Sequence, residues 1–169
     1  LYRALHRAGL ASRPGSDRRD DGLRLEGAWV TAPVRCAPPG NRPTPEERER
    51  CRPWLEREIE LLERVRVAVA LGGYAYRHLM RIFRDRGWDV PSPMPDFSHG
   101  LEVELGAAGR PPAEGPWADG AAAVGGTSGD GRRLHLLASY HPSQQNTFTG
   151  TLTEEMFDAV WDRAVELAG

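Results

Sequence analysis

The sequence contains no lysine: all 22 of its basic residues are arginine. Alongside heavy use of Gly, Ala and Pro, this reads as GC-rich coding bias, so the arginines carry no message about guanidinium chemistry. An excess of one charge sign is missing as well. With 24 acidic residues the formal net charge is −2, which excludes a global basic field and leaves any DNA contact to a local patch. Long apolar runs are absent. Nothing approaches the roughly 20 residues of a membrane span, and no segment reads as a signal peptide. Only two cysteines occur, Cys36 and Cys51, too few for the four ligands of a structural metal or cluster site.

What is present is an ordinary globular composition, 40% hydrophobic and 27% charged over 169 residues, enough for one domain with a core. Residues 1–169 are therefore expected to form a single domain. The chain opens at Leu1 without Met and inside a helical pattern, Leu1, Leu5 and Ala8 with Gly9 as the stop; an upstream part is expected to be missing. A short strand is expected at Ala28–Ala32, followed by a Pro-rich loop. Thr44, Pro45 and Glu47 give a capping box with proline in the first turn, opening a helix to about Arg64. Val65–Leu71 is the next strand. Gly72-Gly73 turns into a helix with Leu79, Ile82 and Phe83 on one face. Pro91, Pro93 and Pro95 hold an extended segment, and Gly100–Leu105 is a third strand. Residues 106–133, rich in Gly, Ala and Pro, are expected to be a flexible insertion. Leu134–Tyr140 is a fourth, apolar strand. Thr151 and Glu154 suggest a second capping box before a helix that turns Met156, Phe157, Val160, Trp161 and Val165 inward. Alternating strands and helices predict a parallel sheet covered by helices.

The densest chemistry follows the fourth strand: His141-Pro142-Ser143-Gln144-Gln145-Asn146-Thr147-Phe148-Thr149-Gly150. Ligands of open α/β sheets bind at the carboxyl ends of strands. Pro142 fixes its own φ and restricts His141. Ser143, Gln144, Gln145, Asn146 and Thr147 offer donors to phosphate or base edges. The bland readings are a satisfied strand-end histidine and a polar turn. Asn41 could be a turn residue before the helix, and Phe97-Ser98-His99-Gly100 reads as a Gly-assisted start of a strand. Cys36 and Cys51 could form a disulfide, be two unrelated buried thiols, or be half of a metal site.

Three stretches together resemble one family. They are Val34-Arg35-Cys36-Ala37-Pro38-Pro39-Gly40-Asn41-Arg42-Pro43-Thr44-Pro45-Glu46-Glu47, then Cys51, then the His141 run. In order, spacing and local sequence they are similar to the family 5 uracil-DNA glycosylases, the bacterial and archaeal type-B, iron–sulfur members of that superfamily. The resemblance implies a three-layer α/β/α sandwich around a central four-stranded parallel sheet. It implies a [4Fe-4S] cluster with Cys36 and Cys51 as the second ligand pair, the cluster ordering the loop that carries them.

The activity implied is hydrolysis of the N-glycosidic bond of uracil, hypoxanthine or xanthine in single- or double-stranded DNA, for base excision repair. His141 would donate to O2 of the departing base, and Asn41 would assist catalysis or base contact. Ser143, Gln144, Gln145, Asn146, Thr147 and Phe148 would enter the minor groove and hold the space of the flipped nucleotide. A cytoplasmic, nucleoid-associated monomer without membrane contact is expected. The family's first motif, with its water-activating Asp, does not occur in this chain, so these 169 residues alone are expected to be inactive or poorly folded. The related type-A group has an Asn four residues before the Cys; here it is Ala32, in keeping with a broader base range. Rival readings are a non-catalytic α/β nucleotide- or DNA-binding module, a redox or cluster-carrier protein, and a partial product without function. Binding without base release would mark the first, and loss of function in folded Cys→Ser variants the second.

Overall fold

In a computed structural model, residues 1–38, 40, 43–107 and 133–169 are described. They fall into two units: Leu1–Val65 with Pro142–Leu167 and Gly169, and Arg66–His141 with Ala168.

The second unit is built on a sheet. Its strands are β1 (Val67–Leu71), β2 (Trp88–Asp89), β3 (Glu102–Ala107) and β4 (Arg133–Ser139), in the order β1-β4-β3-β2. β4 carries Leu134, Leu136, Leu137 and Ala138, all buried. Such a near-continuous apolar run belongs to a central strand covered on both faces. β3 instead alternates buried Val103 and Leu105 with exposed Glu102 and Glu104, the period of a strand with one wet face. On that face Glu104 meets Arg133 at 2.6 Å and Glu102 meets His135 at 3.3 Å. The helix α3 (Gly73–Asp85) packs against β1, β2 and β4. It buries Tyr76, Met80 and Phe83 at i, i+4 and i+7, with Ile82 beside them, while the expected Leu79 is only half-buried.

The four-stranded α/β reading holds, but the sheet is mixed rather than parallel. Only β1 and β4 pair in parallel; β3 alone is reversed, pairing antiparallel with both β4 and β2. The reason lies in the connections. A parallel crossover needs a dozen or more residues, usually a helix. Residues 90–101 contain Pro91, Pro93 and Pro95 and form no helix. The strand expected at Ala28–Ala32 does not form. Trp29 is 61% exposed, and Thr31 is held by a side chain instead of a ladder, donating to Glu58 at 2.5 Å. The fourth strand is β2, too short to leave a periodic signal. At the edges of the expected insertion, residues 106–107 and 133 belong to strands; residues 108–132 lie outside the described residues.

In the first unit, α1 (Tyr2–Arg7) buries Ala4 and Leu5. α2 (Pro45–Leu61) starts as expected: the Thr44 hydroxyl accepts from the Glu47 amide at 3.2 Å, and the Glu47 carboxylate accepts from the Thr44 amide at 2.7 Å. It ends three residues before the expected Arg64. α4 (Gln144–Phe148) is a single short turn of helix where a loop was expected. α5 (Glu154–Ala168) is capped by Thr153, whose hydroxyl accepts from the Met156 amide, and not by Thr151. Phe157, Val160, Trp161 and Ala164 are buried, Met156 is half-buried, and Val165 is 41% exposed. α1 and α5 are tied by Arg7, which donates to both carboxylate oxygens of Asp158 at 2.8 Å, the bidentate geometry that suits a guanidinium.

Candidate active site

In the sheet unit, chemistry gathers at the edge where the parallel strands β1 and β4 both end. β1 leaves the sheet through Gly72, whose φ of 96° and ψ of 154° suit only glycine. The Gly72 amide donates to the Ser139 carbonyl at 2.7 Å, so the two chains stay in register to the last residue. A Cβ built on Gly72 would lie 3.3 Å from the Cβ of His141. The histidine thus stands directly beside a residue that carries no side chain, and it is exposed rather than turned into the apolar interior.

A third segment reaches the same edge. The Gly100 amide donates to the Ala138 carbonyl and the Ala138 amide to the Leu101 carbonyl, both at 2.8 Å. This continues the antiparallel ladder back to Phe97-Ser98-His99. The start of a strand was read correctly there. Its side chains do more than begin a strand. The His99 ring lies 5.1 Å from the Tyr140 ring, and Phe97 lies 6.1 Å from Tyr140 and 5.9 Å from Tyr76. Tyr76 is fully buried and donates its phenolic hydrogen to the Pro95 carbonyl at 2.9 Å. Burial, with the Asp96 carboxylate adding to it, pushes the Tyr76 phenol above its ordinary pKa. Phe97, His99 and Tyr140 were missed as site residues. The signal available was a histidine and an aromatic just before β3, but only the antiparallel pairing brings them to β4.

In the other unit, the residues after Pro142 form a capped turn. Ser143 caps α4, its hydroxyl accepting from the Asn146 amide at 3.3 Å. Thr147 gives its single hydroxyl proton to backbone carbonyls, with Ser143 O at 3.0 Å and Gln144 O at 3.1 Å. Gln144 and Gln145 are exposed, Asn146 is half-buried, and Phe148 is 84% exposed. An aromatic so bare on a short, internally bonded turn is not placed by burial.

Also in this unit, Cys36 is exposed and Cys51 half-buried, both as free thiols. The disulfide reading therefore fails. The segment carrying Cys36 is laid along α2 by Glu58, which receives Thr31 and pairs with Arg35 at 2.6 Å. The Arg35 guanidinium lies 5.9 Å over the Trp54 ring, and the Arg35 amide donates to Cys51 Sγ at 3.5 Å. No group of three or more metal-ligating side chains occurs among the described residues, and Asn41 lies outside them. A cleft of about 480 Å³ lies at the Arg13–Asp21 loop. Its Arg13 is already paired with Asp17 and Asp21, and it holds none of the expected site residues.

A sequence model of the Uracil DNA glycosylase superfamily matches residues 1–165. The chain belongs to the uracil-DNA glycosylase superfamily. Within the superfamily it is similar to the Type-5 uracil-DNA glycosylase of Mycobacterium bovis, 45% identical over all of this chain and 53% of that protein. The Type-5 uracil-DNA glycosylase of Thermus thermophilus is 46% identical over all of this chain and 63% of its own length. A Type-4 uracil-DNA glycosylase of Archaeoglobus fulgidus is 43% identical, over 37% of this chain and 31% of that protein. The expected likeness to family 5 is borne out. The chain spans between about half and two thirds of the Type-5 relatives' length. No helix among the described residues is long and apolar enough to cross a membrane.

Proposed function

We propose that the protein to which this chain belongs is a DNA glycosylase that hydrolyses the N-glycosidic bond of uracil and other deaminated bases. The observation that carries the reading is His141, exposed on the edge shared by β1 and β4 in a superfamily chain. Breaking the bond sends an electron pair to the base while the sugar becomes cation-like, and water completes the sugar at C1′. A fixed N–H aimed at the developing negative charge lowers the barrier, and a rigid strand end supplies that fixity. His141 is that donor, directed at O2 of the base. Asn41 contributes base contact.

The turn after Pro142 supplies the DNA contact. Flipping a nucleotide costs a few kcal/mol of stacking and pairing, and an apolar side chain occupying the gap offsets part of it. Phe148 is the wedge, and Gln144 and Gln145 meet the phosphates or base edges, with Ser143, Asn146 and Thr147 shaping the turn that presents them.

Cys36 and Cys51 would hold half of a [4Fe-4S] cluster. Both are free, and a backbone N–H pointed at Cys51 Sγ suits a thiolate ligand. The cluster would serve to hold the Cys36 arm against α2.

The test is base release from uracil- and hypoxanthine-containing oligonucleotides under single-turnover conditions, using the longer protein. His141→Ala should slow release by about 10²–10³-fold, the effect of removing one donor to developing charge. A variant as fast as its parent removes His141 from the mechanism. Binding of the oligonucleotide without any release by the parent favours a binding module.

A further inference from the structure

We infer that His99 is a positioning residue, whose ring extends the β3–β4 ladder by one place and thereby aims His141; the inference rests on the glycosylase reading above. The ladder's last backbone bonds on this side join Ala138 to Gly100 and Leu101. The next strand-directed amide, Tyr140 N–H, finds no backbone carbonyl opposite. It donates instead to His99 Nδ1 at 3.3 Å. A backbone amide can only donate, so Nδ1 must carry a lone pair and the ring proton sits on Nε2. The buried Ser139 hydroxyl lies 3.4 Å from the same Nδ1 and 3.0 Å from the Tyr140 carbonyl, to which it donates. The His99 ring also lies against the Tyr140 ring. Both polar ends of Tyr140's backbone are therefore tied, one to a histidine and one to a serine.

The consequence falls on the next residue. On the β1 side, His141 is bounded by Gly72, where a Cβ would come within 3.3 Å of the His141 Cβ. On the β3 side, its backbone is fixed by the amide that His99 receives. Without the acceptor, Tyr140 N–H must turn to water, and Tyr140, the residue that leads into His141, turns with it. Catalysis by a placed donor is sensitive to such turning, since a displacement of about 1 Å can cost on the order of 10²-fold in rate.

The experiment compares two variants of nearly equal size in the longer protein. Asn puts an acceptor oxygen close to where Nδ1 sat, and Leu does not. His99→Leu should lower single-turnover uracil release by roughly 10–100-fold while duplex affinity stays within about twofold. His99→Asn should recover release to within about threefold of the parent. The Tyr140 amide, read by NMR hydrogen exchange, should lose protection in His99→Leu and keep it in His99→Asn. A His99→Leu protein as fast as the parent overturns the inference, as does His99→Asn as slow as His99→Leu. Should the parent release no base, the glycosylase reading fails alone, and the Tyr140 exchange pattern still decides whether His99 holds this strand end.

Discussion

Gly72 and Gly106 separate two consequences of adding a methyl group. At Gly72 the backbone occupies a region open only to glycine, and a Cβ would press within 3.3 Å of His141. At Gly106 a Cβ would meet nothing within 4 Å. Gly72→Ala is therefore expected to lower stability to urea by about 1–3 kcal/mol and to slow base release beyond what the lost stability explains. Gly106→Ala should leave both near the parent values. Equal effects from the two would show that the close approach of Gly72 to His141 is without weight. His141 itself was legible in the sequence because proline and a run of polar residues followed an apolar strand. His99 was not, because its partner amide lies 41 residues away and nothing local marks an acceptor for it.

At the scale of elements, side chains that bond to nearby backbone were the easiest to read. Thr44 and Glu47 declared the start of α2 because both partners lie within one turn. Thr44→Ala should cost about 0.5–2 kcal/mol, measurable as a shift in urea midpoint at unchanged slope. Thr153 displaced the expected Thr151 as the cap of α5 because both are spaced plausibly from acidic residues, and only backbone direction separates them. The loop from Ser12 to Leu25 is tied the same way. The Asp21 carboxylate accepts from the amides of Leu23, Asp17 and Arg18, which hold it below its ordinary value of 3.8, with Arg13 adding a smaller charge effect. A carboxyl depressed in the folded state adds stability above its unfolded pKa, and that stability is lost as pH falls through the folded value. Urea stability of the parent should therefore drop below about pH 4 more steeply than that of Asp21→Asn, the two curves converging in acid. Parallel curves would remove Asp21 from the loop's hold.

For the molecule as a whole, composition and element order gave the α/β class and three of the four strands, but neither β2 nor the strand directions. Strand direction depends on the connections, and prolines at 91, 93 and 95 mark a stretch that cannot form a crossover helix. Alternation of elements was read across that stretch as though one were there. The Ala28–Ala32 segment misled for the converse reason: its residues suit a strand, yet no neighbouring strand receives them, and Glu58 holds Thr31 instead. The likeness to known proteins spans the whole chain, and among the described residues the site residues it suggested lie at a strand end, on the α4 turn, on the Cys36 arm and, for Cys51, in α2.

The mixed sheet makes one part of this protein open to grafting. Because β3 and β4 run antiparallel, Gly106 and Arg133 stand opposite each other at the end of the sheet remote from His141. A two-residue hairpin can join antiparallel neighbours, so replacing residues 107–132 with Asn-Gly should leave the circular dichroism spectrum and base release of the longer protein close to the parent's. A reporter domain spliced at the same place should be tolerated equally, which would allow the protein to be followed on DNA without touching the surface that reads it.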